Sequence, residues 1–564
     1  MKSPRSMAPA LVLLAAAALV AVGVSVCLEA PVVMTEASVR MVEQVEKTAV
    51  VPLSELRGAG PVVVAPARWL ESVLGAEPAL WGLSFGGLLL VAALVFAVLH
   101  VLSGTWSALL APLLFCWCPQ TMQLLFQPDG QGMVVFFLVA PALLFGLAGS
   151  CSGDAARPAD GGAPDSLAAA CPGRCGPWMR KIAGPLLAML GGCVAGGSAL
   201  AHHFGLWAGL AALLGLAVAG PERRRPGMPG MLSLSPVGIE LCLALFGFAV
   251  TAAAGMVISG AGKDGMVAWL FGPFGGFHPP LAVAGTVYSE AVDGGPPLWT
   301  TAFLLLVRTP VLLVAAALAG VLVMRRRGFR LLSGPLAPLA LSWLALFLSS
   351  SLAGSPMFLP GVSLLVPLSL FPCLLAAALI QPPVDASQPA AEVSAASLPD
   401  SGPTQASVPA GGTRGAVARH WPRLLSGLAA VLLLASVAGA GWRLAPYPAA
   451  FGSLVCGGTE RCNRASEPWL EVVADSSLVS LVPAGEKELV LVPWGSRAQG
   501  VWNRLVQYSG RGGSLKTKDG GRGRVLIWQP ASTPAAGLFL KACPPAAQGP
   551  VLPPGTNRLW RTCR

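Results

Sequence analysis

Residues 275–327 read GGFHPPLAVAGTVYSEAVDGGPPLWTTAFLLLVRTPVLLVAAALAGVLVMRRR, and this stretch decides the fold. A loop rich in Pro and Gly leads into a long apolar segment, which ends at Arg325, Arg326 and Arg327. Clusters of Lys and Arg beside apolar spans mark the cytoplasmic side of a membrane. The stretch therefore predicts a membrane span whose arginine end is cytoplasmic and whose preceding loop lies outside.

Arg308 lies inside this apolar segment, roughly ten residues beyond the loop by helical rise. An arginine within a span is costly and, by default, indicates a functional group with a polar partner. Snorkelling towards the head groups and a structural ion pair inside the bundle are the alternatives. The loop itself carries three further polar candidates, His278, Tyr288 and Asp293.

The composition extends the membrane interpretation to most of the chain. The 564 residues are 54% hydrophobic and only 11% charged, and the mean hydropathy is +0.68. Such a sequence indicates a polytopic membrane protein. The net charge of +11 falls largely in short runs beside apolar spans, so it does not indicate nucleic-acid binding.

The sequence contains no Walker loop, His-Glu-x-x-His or Gly-x-Ser-x-Gly motif, which disfavours nucleotide-driven pumps, zinc proteases and hydrolases of that type.

Apolar segments predict about eleven spans. They are 8–27, 81–103, 105–126, 132–148, 182–201, 204–220, 235–259, 299–324, 331–352, 361–381 and 423–441. Basic runs on alternate connections place the N-terminus inside and the C-terminus outside. Residues 28–80 form an acidic outer loop, whereas 150–178 and 383–420 are predicted to be flexible cytoplasmic loops because they are rich in Ala, Pro, Ser and Gly.

The composition changes after Trp442. Residues 489–494 and 524–528 are predicted strands, and 498–508 between them are a predicted helix. The expected fold is thus an α-helical polytopic membrane protein with a small C-terminal α/β extracytoplasmic domain. Its predicted divisions are a membrane domain over 1–381, a linker over 382–422, a last span over 423–441 and a soluble domain over 442–564.

Four cysteines fall in the predicted outer domain. An oxidising compartment favours two disulfides, and proximity in sequence suggests Cys456 with Cys462 and Cys543 with Cys563.

Several motifs, taken in order, resemble those of the GT-C membrane glycosyltransferases. The resemblance covers most of the chain and is greatest to bacterial relatives of protein O-mannosyltransferases and of the lipid A aminoarabinose transferase. The motifs are MTEASVRMVEQVEK with Glu36, the span SGTWSALLAPLLFCWCPQTMQLLFQPDGQG that leads through Pro119 to a second outer acidic residue, Asp129, GGSALAHHFG with His202 and His203, Arg308-Thr309-Pro310, SPMFLPGVSLL, APYPAAFGSLVCGG and EVVADSSLV. The chain departs from the family pattern where VAPARWL replaces His-Pro-Pro, where a His replaces a Lys, and at Met357-Phe358 in place of Arg-Tyr.

The resemblance implies an integral-membrane enzyme that moves a sugar from a polyprenyl-phosphate donor to a lipid, glycan or protein acceptor. The reaction would occur at the outer face of a bacterial inner membrane. Glu36, with Glu29 as the alternative, is the candidate carboxylate that acts as general base on the acceptor hydroxyl or positions it, and Asp129 is the candidate second carboxylate or metal-side partner. Arg308, His202, His203 and His278 are candidates for binding substrate or phosphate. A divalent metal ion is an open expectation of the resemblance.

Other interpretations remain for these residues. Glu36, Arg40, Glu43 and Lys47 recur at helical spacing, so Glu36 can also belong to a solvated helix face. Asp129 lies in Pro-Asp-Gly, a common turn sequence. The alternative functions are a catalytically degenerate GT-C scaffold and a secondary transporter or lipid-handling protein. Transporters usually carry internal repeats, and none is evident in the sequence.

Overall fold

A computed structural model of the chain consists mainly of apolar helices. The residues that it describes are 32–46, 60–103, 105–153, 177–219, 236–258, 267, 269–271, 281–283, 286–288, 297–326, 334–353, 364–379, 414–445, 448, 451–459, 461–462, 473–476, 479, 488–492, 495–509, 516–518, 524–530, 548–551 and 558–563. The predicted span 8–27, Glu29, His278, Asp293 and Cys543 lie outside these residues, as do most of the two predicted cytoplasmic loops.

Fifteen helices and nine strands form the described part. The helices are α1 (Glu36–Glu46), α2 (Pro61–Leu74), α3 (Ala76–Ser103), α4 (Thr105–Trp117), α5 (Pro119–Phe126), α6 (Gln131–Gly153), α7 (Pro177–Ala201), α8 (Gly205–Val218), α9 (Pro236–Ile258), α10 (Thr300–Arg308), α11 (Val311–Arg326), α12 (Ala337–Leu352), α13 (Leu365–Leu379), α14 (Arg414–Trp442) and α15 (Gly495–Tyr508). The strands are β1 (Val33–Thr35), β2 (Leu281–Val283), β3 (Thr286–Tyr288), β4 (Val473–Asp475), β5 (Glu488–Val492), β6 (Lys516–Lys518), β7 (Arg524–Pro530), β8 (Gln548–Val551) and β9 (Arg558–Cys563).

The ten predicted spans within the described residues coincide with helices or with bent pairs of helices. Five helices, α3, α6, α7, α9 and α14, are each long and apolar enough to cross a membrane. Two bent pairs, α4 with α5 and α10 with α11, pass the same test together, which makes up to seven spans. The other three, α8, α12 and α13, are shorter apolar helices. The polytopic helical fold predicted from the sequence is therefore confirmed.

The start of the last span differs most from its prediction. The sequence predicts that the last span begins at residue 423, but α14 begins at Arg414, within the segment predicted to be flexible. The reason is that residues 414–421 include Ala416, Ala418 and Arg419, which favour a helix without making the segment apolar enough to count as membrane span.

Small residues bring the membrane helices into close contact. A Cβ at Gly132 of α6 would lie 1.8 Å from the Ser84 carbonyl oxygen of α3. A Cβ at Gly192 of α7 would lie 2.0 Å from the Ala244 carbonyl oxygen of α9. Any larger side chain would therefore force these backbones apart, as expected for membrane helices that associate by packing rather than by the hydrophobic effect.

A layer of two short helices lies beside the bundle, in the segment predicted to be the outer loop. Thr35 ends β1 and caps α1, since its Oγ1 accepts a hydrogen bond from the Ser38 N–H at 3.0 Å. Most of α1 is buried, and it packs on α2, where Arg68 donates to the Gln44 carbonyl oxygen at 2.9 Å. The Gly60 N–H, just before α2, donates to the Ala201 carbonyl oxygen at the end of α7 at 3.0 Å.

The C-terminal part contains the predicted α/β elements. Its five-stranded sheet has the order β6-β5-β7-β9-β8. Strand β5 pairs parallel with both β6 and β7, whereas β9 pairs antiparallel with β7 and β8. Helix α15 follows β5 and leads to β6, which is the crossover that a parallel pair requires. The predicted strands and helix are thus confirmed to within a few residues.

The layer of α1 and α2 also holds the C-terminal part. Strand β1 pairs antiparallel with β4, and the Ser476 N–H donates to the Val32 carbonyl oxygen at 3.0 Å. Helix α15 packs on α1 with Trp502 fully buried. Arg504 of α15 forms ion pairs with Glu46 at the end of α1 and, at 3.4 Å, with Glu77 of α3.

We expect Arg504→Ala to loosen α15 from the helices beneath it. Partly exposed ion pairs contribute about 0.2–1 kcal/mol each, so the loss is about 1 kcal/mol. Hydrogen exchange in detergent should become faster in residues 36–46 and 495–509, while the membrane helices keep their protection. Arg443→Ala, at an exposed arginine after α14, is the matched control and should change neither segment. Unchanged exchange in both segments of Arg504→Ala would contradict the ion pairs.

Candidate functional site

Asp129 lies in the short turn between α5 and α6, and its side chain is 1% exposed. Its Oδ1 accepts hydrogen bonds from the Gln131 N–H at 3.1 Å and from the Ser84 hydroxyl at 3.5 Å. The first of these bonds caps the start of α6. Its Oδ2 is buried without a hydrogen-bond partner among the described residues. One carboxylate oxygen thus stabilises the helix, and the other is left for a proton or a ligand.

Helix α2 closes over this turn. Gly130 has a φ of +72°, a conformation that favours glycine. A Cβ at this position would lie 2.8 Å from Cγ1 of Val63 in α2 and 3.2 Å from Cδ2 of Leu80 in α3. The Pro-Asp-Gly sequence therefore forms the tight turn that it predicts, and the turn lies directly beneath α2.

Burial raises the pKa of the Asp129 carboxyl to about 7, against the lowering effect of its hydrogen bonds to Gln131 and Ser84. The group accordingly changes protonation near neutral pH, which is the property required of a general base that works there.

His202 and His203 form the turn between α7 and α8, and both are buried. The Phe204 N–H donates to Nδ1 of His202 at 3.1 Å, so in the neutral ring the proton lies on Nε2. That Nε2 has no hydrogen-bond partner among the described residues. Nδ1 of His203 contacts the Trp269 carbonyl oxygen, and the centroids of the His203 and Trp269 rings lie 3.9 Å apart.

The two histidines do not supply the positive charge that their expected phosphate role would use. Burial lowers the pKa of His202 to about 3 and that of His203 to about 4, so both rings are neutral at pH 7. At pH 7 His202 therefore offers a neutral donor, Nε2–H, and His203 contacts Trp269; the binding of substrate or phosphate by the two histidines stays a prediction.

The first turn of α2 lies over both sites. The Gly60 N–H binds the Ala201 carbonyl oxygen, directly before the histidines, and Val63 contacts the Asp129 turn. The structure therefore brings Asp129, His202 and His203 together under one helix, although they lie more than 70 residues apart in sequence.

Arg308 lies at a break in the span that the sequence predicts to be continuous. Helices α10 and α11 meet at Thr309-Pro310 with a bend of 111°. Arg308 ends α10, is 1% exposed, and donates a hydrogen bond from Nη1 to the Phe451 carbonyl oxygen at 3.0 Å. It thus has the polar contact that the sequence predicted, and its functional role stays a prediction.

Ser453 completes this break. Pro310 has no N–H, so the Leu306 carbonyl lacks its helical partner. The Ser453 hydroxyl lies 3.5 Å from that oxygen, and the Ser453 N–H donates to the Val307 carbonyl oxygen at 2.8 Å. A segment beyond the last span thereby satisfies the two carbonyls freed by the break, as a membrane interior requires.

Cys456 and Cys462 lie beside the same break, but as free thiols rather than as the predicted disulfide. Cys462 is buried against Leu304 and Val307, and its thiol donates to the Ser453 carbonyl oxygen at 3.7 Å. Burial raises the pKa of the Cys462 thiol, and the neighbouring Cys456 thiol raises it further. The two residues are neighbours, as proximity predicted, although the bond is absent. The pairing of Cys543 with Cys563 stays a prediction, because Cys543 lies outside the described residues.

Two further candidate residues, Glu36 and Tyr288, lie in described elements. Glu36 is the first residue of α1, and its role as general base stays a prediction because its side chain is not described. Glu43, seven residues further along the same helix face, is exposed, as expected for a solvated row. Tyr288 lies in the hairpin of β2 and β3, in the loop predicted to be outside.

Sequence reasoning missed a buried polar group on α5. Gln120, Thr121 and Gln123 of this helix are at most 4% exposed. It also missed Glu240 of α9, which is 1% exposed. Three polar residues within four positions of PQTMQ were the available signal, since polar side chains in a span face the bundle interior.

The site does not show a preformed metal cluster. Within the described ranges, no group of three or more His, Cys, Asp or Glu could hold a metal ion. Oδ2 of Asp129 is one hard oxygen ligand that Mg²⁺ or Mn²⁺ would accept. A metal requirement remains a prediction for experiment.

No protein-family model and no curated protein matches the chain. Two solved structures of ArnT from Cupriavidus metallidurans are similar to it: the one bound to undecaprenyl phosphate has a TM-score of 0.48, 12% identity and coverage of 98% of this chain and 97% of that chain. The apo state has a TM-score of 0.44, 13% identity and coverage of 99% and 98%. The apo oligosaccharyltransferase of Archaeoglobus fulgidus has a TM-score of 0.39, 14% identity and coverage of 84% and 59%. Both proteins belong to the superfamily that the ordered sequence motifs resemble, but similarity at this level assigns no activity by itself.

The raised pKa of Asp129 predicts a pH-dependent stability. The pKa is about 7 in the folded state against an ordinary value of 3.8, so between these values the folded chain holds the proton more tightly. Stability from this group is therefore fully present below about pH 4 and is lost as the pH rises to about 7, by at most roughly 4 kcal/mol. Asp129→Asn imitates the protonated acid. In detergent, the unfolding temperature of Asp129→Asn should rise relative to that of the wild type between about pH 4.5 and about pH 7.5. An unfolding temperature that depends on pH equally in both proteins would contradict the raised pKa.

The break at Pro310 predicts a difference between two substitutions of Ser453. Its φ of −72° suits proline, but the ring Cδ of Ser453→Pro would replace the N–H and collide with the Val307 carbonyl oxygen, which lies 2.8 Å from the Ser453 nitrogen. Loss of the hydrogen bond alone should cost about 1–3 kcal/mol, and the collision adds to this loss. Ser453→Ala retains the N–H and is the control, with a loss below about 1 kcal/mol. Equal unfolding temperatures for the two variants would show that the break does not depend on this hydrogen bond.

Proposed function

We propose that this chain is an integral-membrane glycosyltransferase that moves a sugar from a polyprenyl-phosphate donor to an acceptor at the outer face of a bacterial inner membrane. The observation that supports it most is Arg308. A guanidinium that is 1% exposed at a break in a membrane span is a costly arrangement, and such residues mark binding sites for charged groups.

Arg308 suits the leaving group of this reaction. When the sugar–phosphate bond breaks, negative charge grows on the lipid phosphate, and arginine binds phosphate through paired N–H donors. The break holds the guanidinium near the predicted outer end of the span, where the head group of a lipid carrier lies. Phe451 and Ser453 fix its position through the contacts described above.

The carboxylates suit the acceptor. Glu36 at the start of α1 is the proposed general base, which takes the proton of the acceptor hydroxyl. Asp129, with its pKa near 7 and one unpartnered oxygen, is the proposed second carboxylate. His202 contributes a neutral N–H donor beside it rather than a charge. The acceptor would have to displace the first turn of α2 to reach these groups, because the turn at Asp129 is closed.

The same closure favours the second candidate, a catalytically degenerate scaffold that binds a lipid or a partner. Oδ1 of Asp129 is used to cap α6, and Val63 and Leu80 cover its turn. A carboxylate in that position can serve stability alone.

The test is transfer of label from radiolabelled polyprenyl-phosphate sugars in membranes that contain the chain. Glu36→Gln, Asp129→Asn and Arg308→Gln should each lower transfer by about 100-fold or more, as expected for loss of a base or of a charge stabiliser. Glu43→Gln and Arg443→Gln, at exposed positions of the same charge types, are the matched controls and should transfer normally. Protein levels in the membrane are measured for every variant.

Each outcome decides between the candidates. Equal transfer by all six proteins would remove the residue assignments. No transfer by the wild type from any donor tested, with binding of the lipid phosphate retained, would favour the scaffold. Chelation with EDTA followed by added Mg²⁺ or Mn²⁺ tests the expected metal, since a metal-dependent enzyme should lose and then regain its activity.

A further inference from the structure

The opposite end of the broken span carries a separate feature, a groove between α11 and α13. The two helices touch at Gly320, where a Cβ would lie 1.9 Å from the Leu375 carbonyl oxygen. Ala317, Met324 and Leu375 pack together at this crossing. The glycine therefore allows the two backbones to approach closely at this crossing.

The space left between the helix ends is a groove of about 570 Å³. It is lined by Ala319, Leu322, Val323, Arg325 and Leu379. Four of the five side chains are apolar, and Leu322 is 61% exposed, so the groove opens sideways. In a membrane this opening faces the hydrocarbon of the lipids, and an acyl chain fits its lining.

One end of the groove is cationic. Arg325 is exposed and lies three residues after Leu322, so the two side chains share one side of α11. Arg326 and Arg327 follow it in sequence, and together they make the run that predicts the cytoplasmic face. Basic pockets between membrane helices on that side suit the phosphate of an anionic lipid.

We propose that this groove binds an anionic glycerophospholipid of the cytoplasmic leaflet. One acyl chain lies along Ala319, Leu322, Val323 and Leu379, and the head-group phosphate lies at Arg325. A zwitterionic lipid offers the same acyl chain but brings its own cation, so it gains less from the arginine. The site is about 21 Å along α11 from the break at Pro310, at the other face of the membrane. It is therefore independent of the proposed transferase site.

Lipid retained by the full chain tests the proposal. The protein is purified from nanodiscs that contain equal amounts of phosphatidylglycerol and phosphatidylcholine, and bound lipid is counted by native mass spectrometry. The wild type should retain phosphatidylglycerol about fivefold over phosphatidylcholine, the ratio that one arginine near a charged surface supplies. Arg325→Gln should bring the ratio close to one, and Leu322→Trp, which fills the groove, should lower retention of both lipids.

Leu312→Trp is the matched control, because Leu312 is 51% exposed on the same helix but lies outside the groove. It should behave as the wild type. Equal retention of the two lipids by the wild type would overturn the proposed specificity. Unchanged retention in Leu322→Trp, or an equal loss in Leu312→Trp, would show that the lipid is annular and that the groove holds none. Sugar transfer is assayed in parallel, so failure of this site and failure of the proposed function are separate results.

Discussion

The break at Pro310 is the constraint on which the rest of the structure depends. Backbone groups inside a membrane need partners within the protein, and proline removes one of those partners. The chain meets this demand with Ser453, whose N–H binds the Val307 carbonyl oxygen and whose hydroxyl approaches that of Leu306. The segment after the last span is thereby fixed against a span more than 140 residues earlier. Arg308, which lies just before the break, is held by Phe451 of the same segment.

The opposite side of the candidate site is held by a second long-range connection. Helix α2 binds the end of α7 through Gly60 and covers the Asp129 turn through Val63. Helix α1 packs on α2 and carries the C-terminal part through the ion pair of Arg504 with Glu46 and through α15. A movement of α2 would therefore disturb Asp129, the histidine turn and the C-terminal part together.

Local sequence patterns predicted the elements of the fold better than they predicted its contacts. Apolar runs located the spans because a membrane helix depends on hydropathy over about 20 residues, a local property. Pro-Asp-Gly likewise predicted the turn at Asp129. The covering of that turn by Val63, and the neutral state of His202, depend on residues that are distant in sequence and on burial, which no motif contains. The sequence predicted one continuous span over 299–324, although Pro310 was an available signal of a break, and nothing near it identified Ser453 as the partner of the freed carbonyls.

The charge distribution of the site follows from these contacts and constrains any reaction there. Under α2 the chain places a buried carboxyl that titrates near neutral pH, and two imidazoles that are neutral at pH 7. At the Pro310 break it places a guanidinium, which is always charged. Burial accounts for the raised pKa of Asp129, and a cation beside the carboxyl would lower it. In the proposed transfer from a lipid phosphate to a hydroxyl, Arg308 would stabilise the charge that develops on the phosphate, and Asp129 would be the second carboxylate.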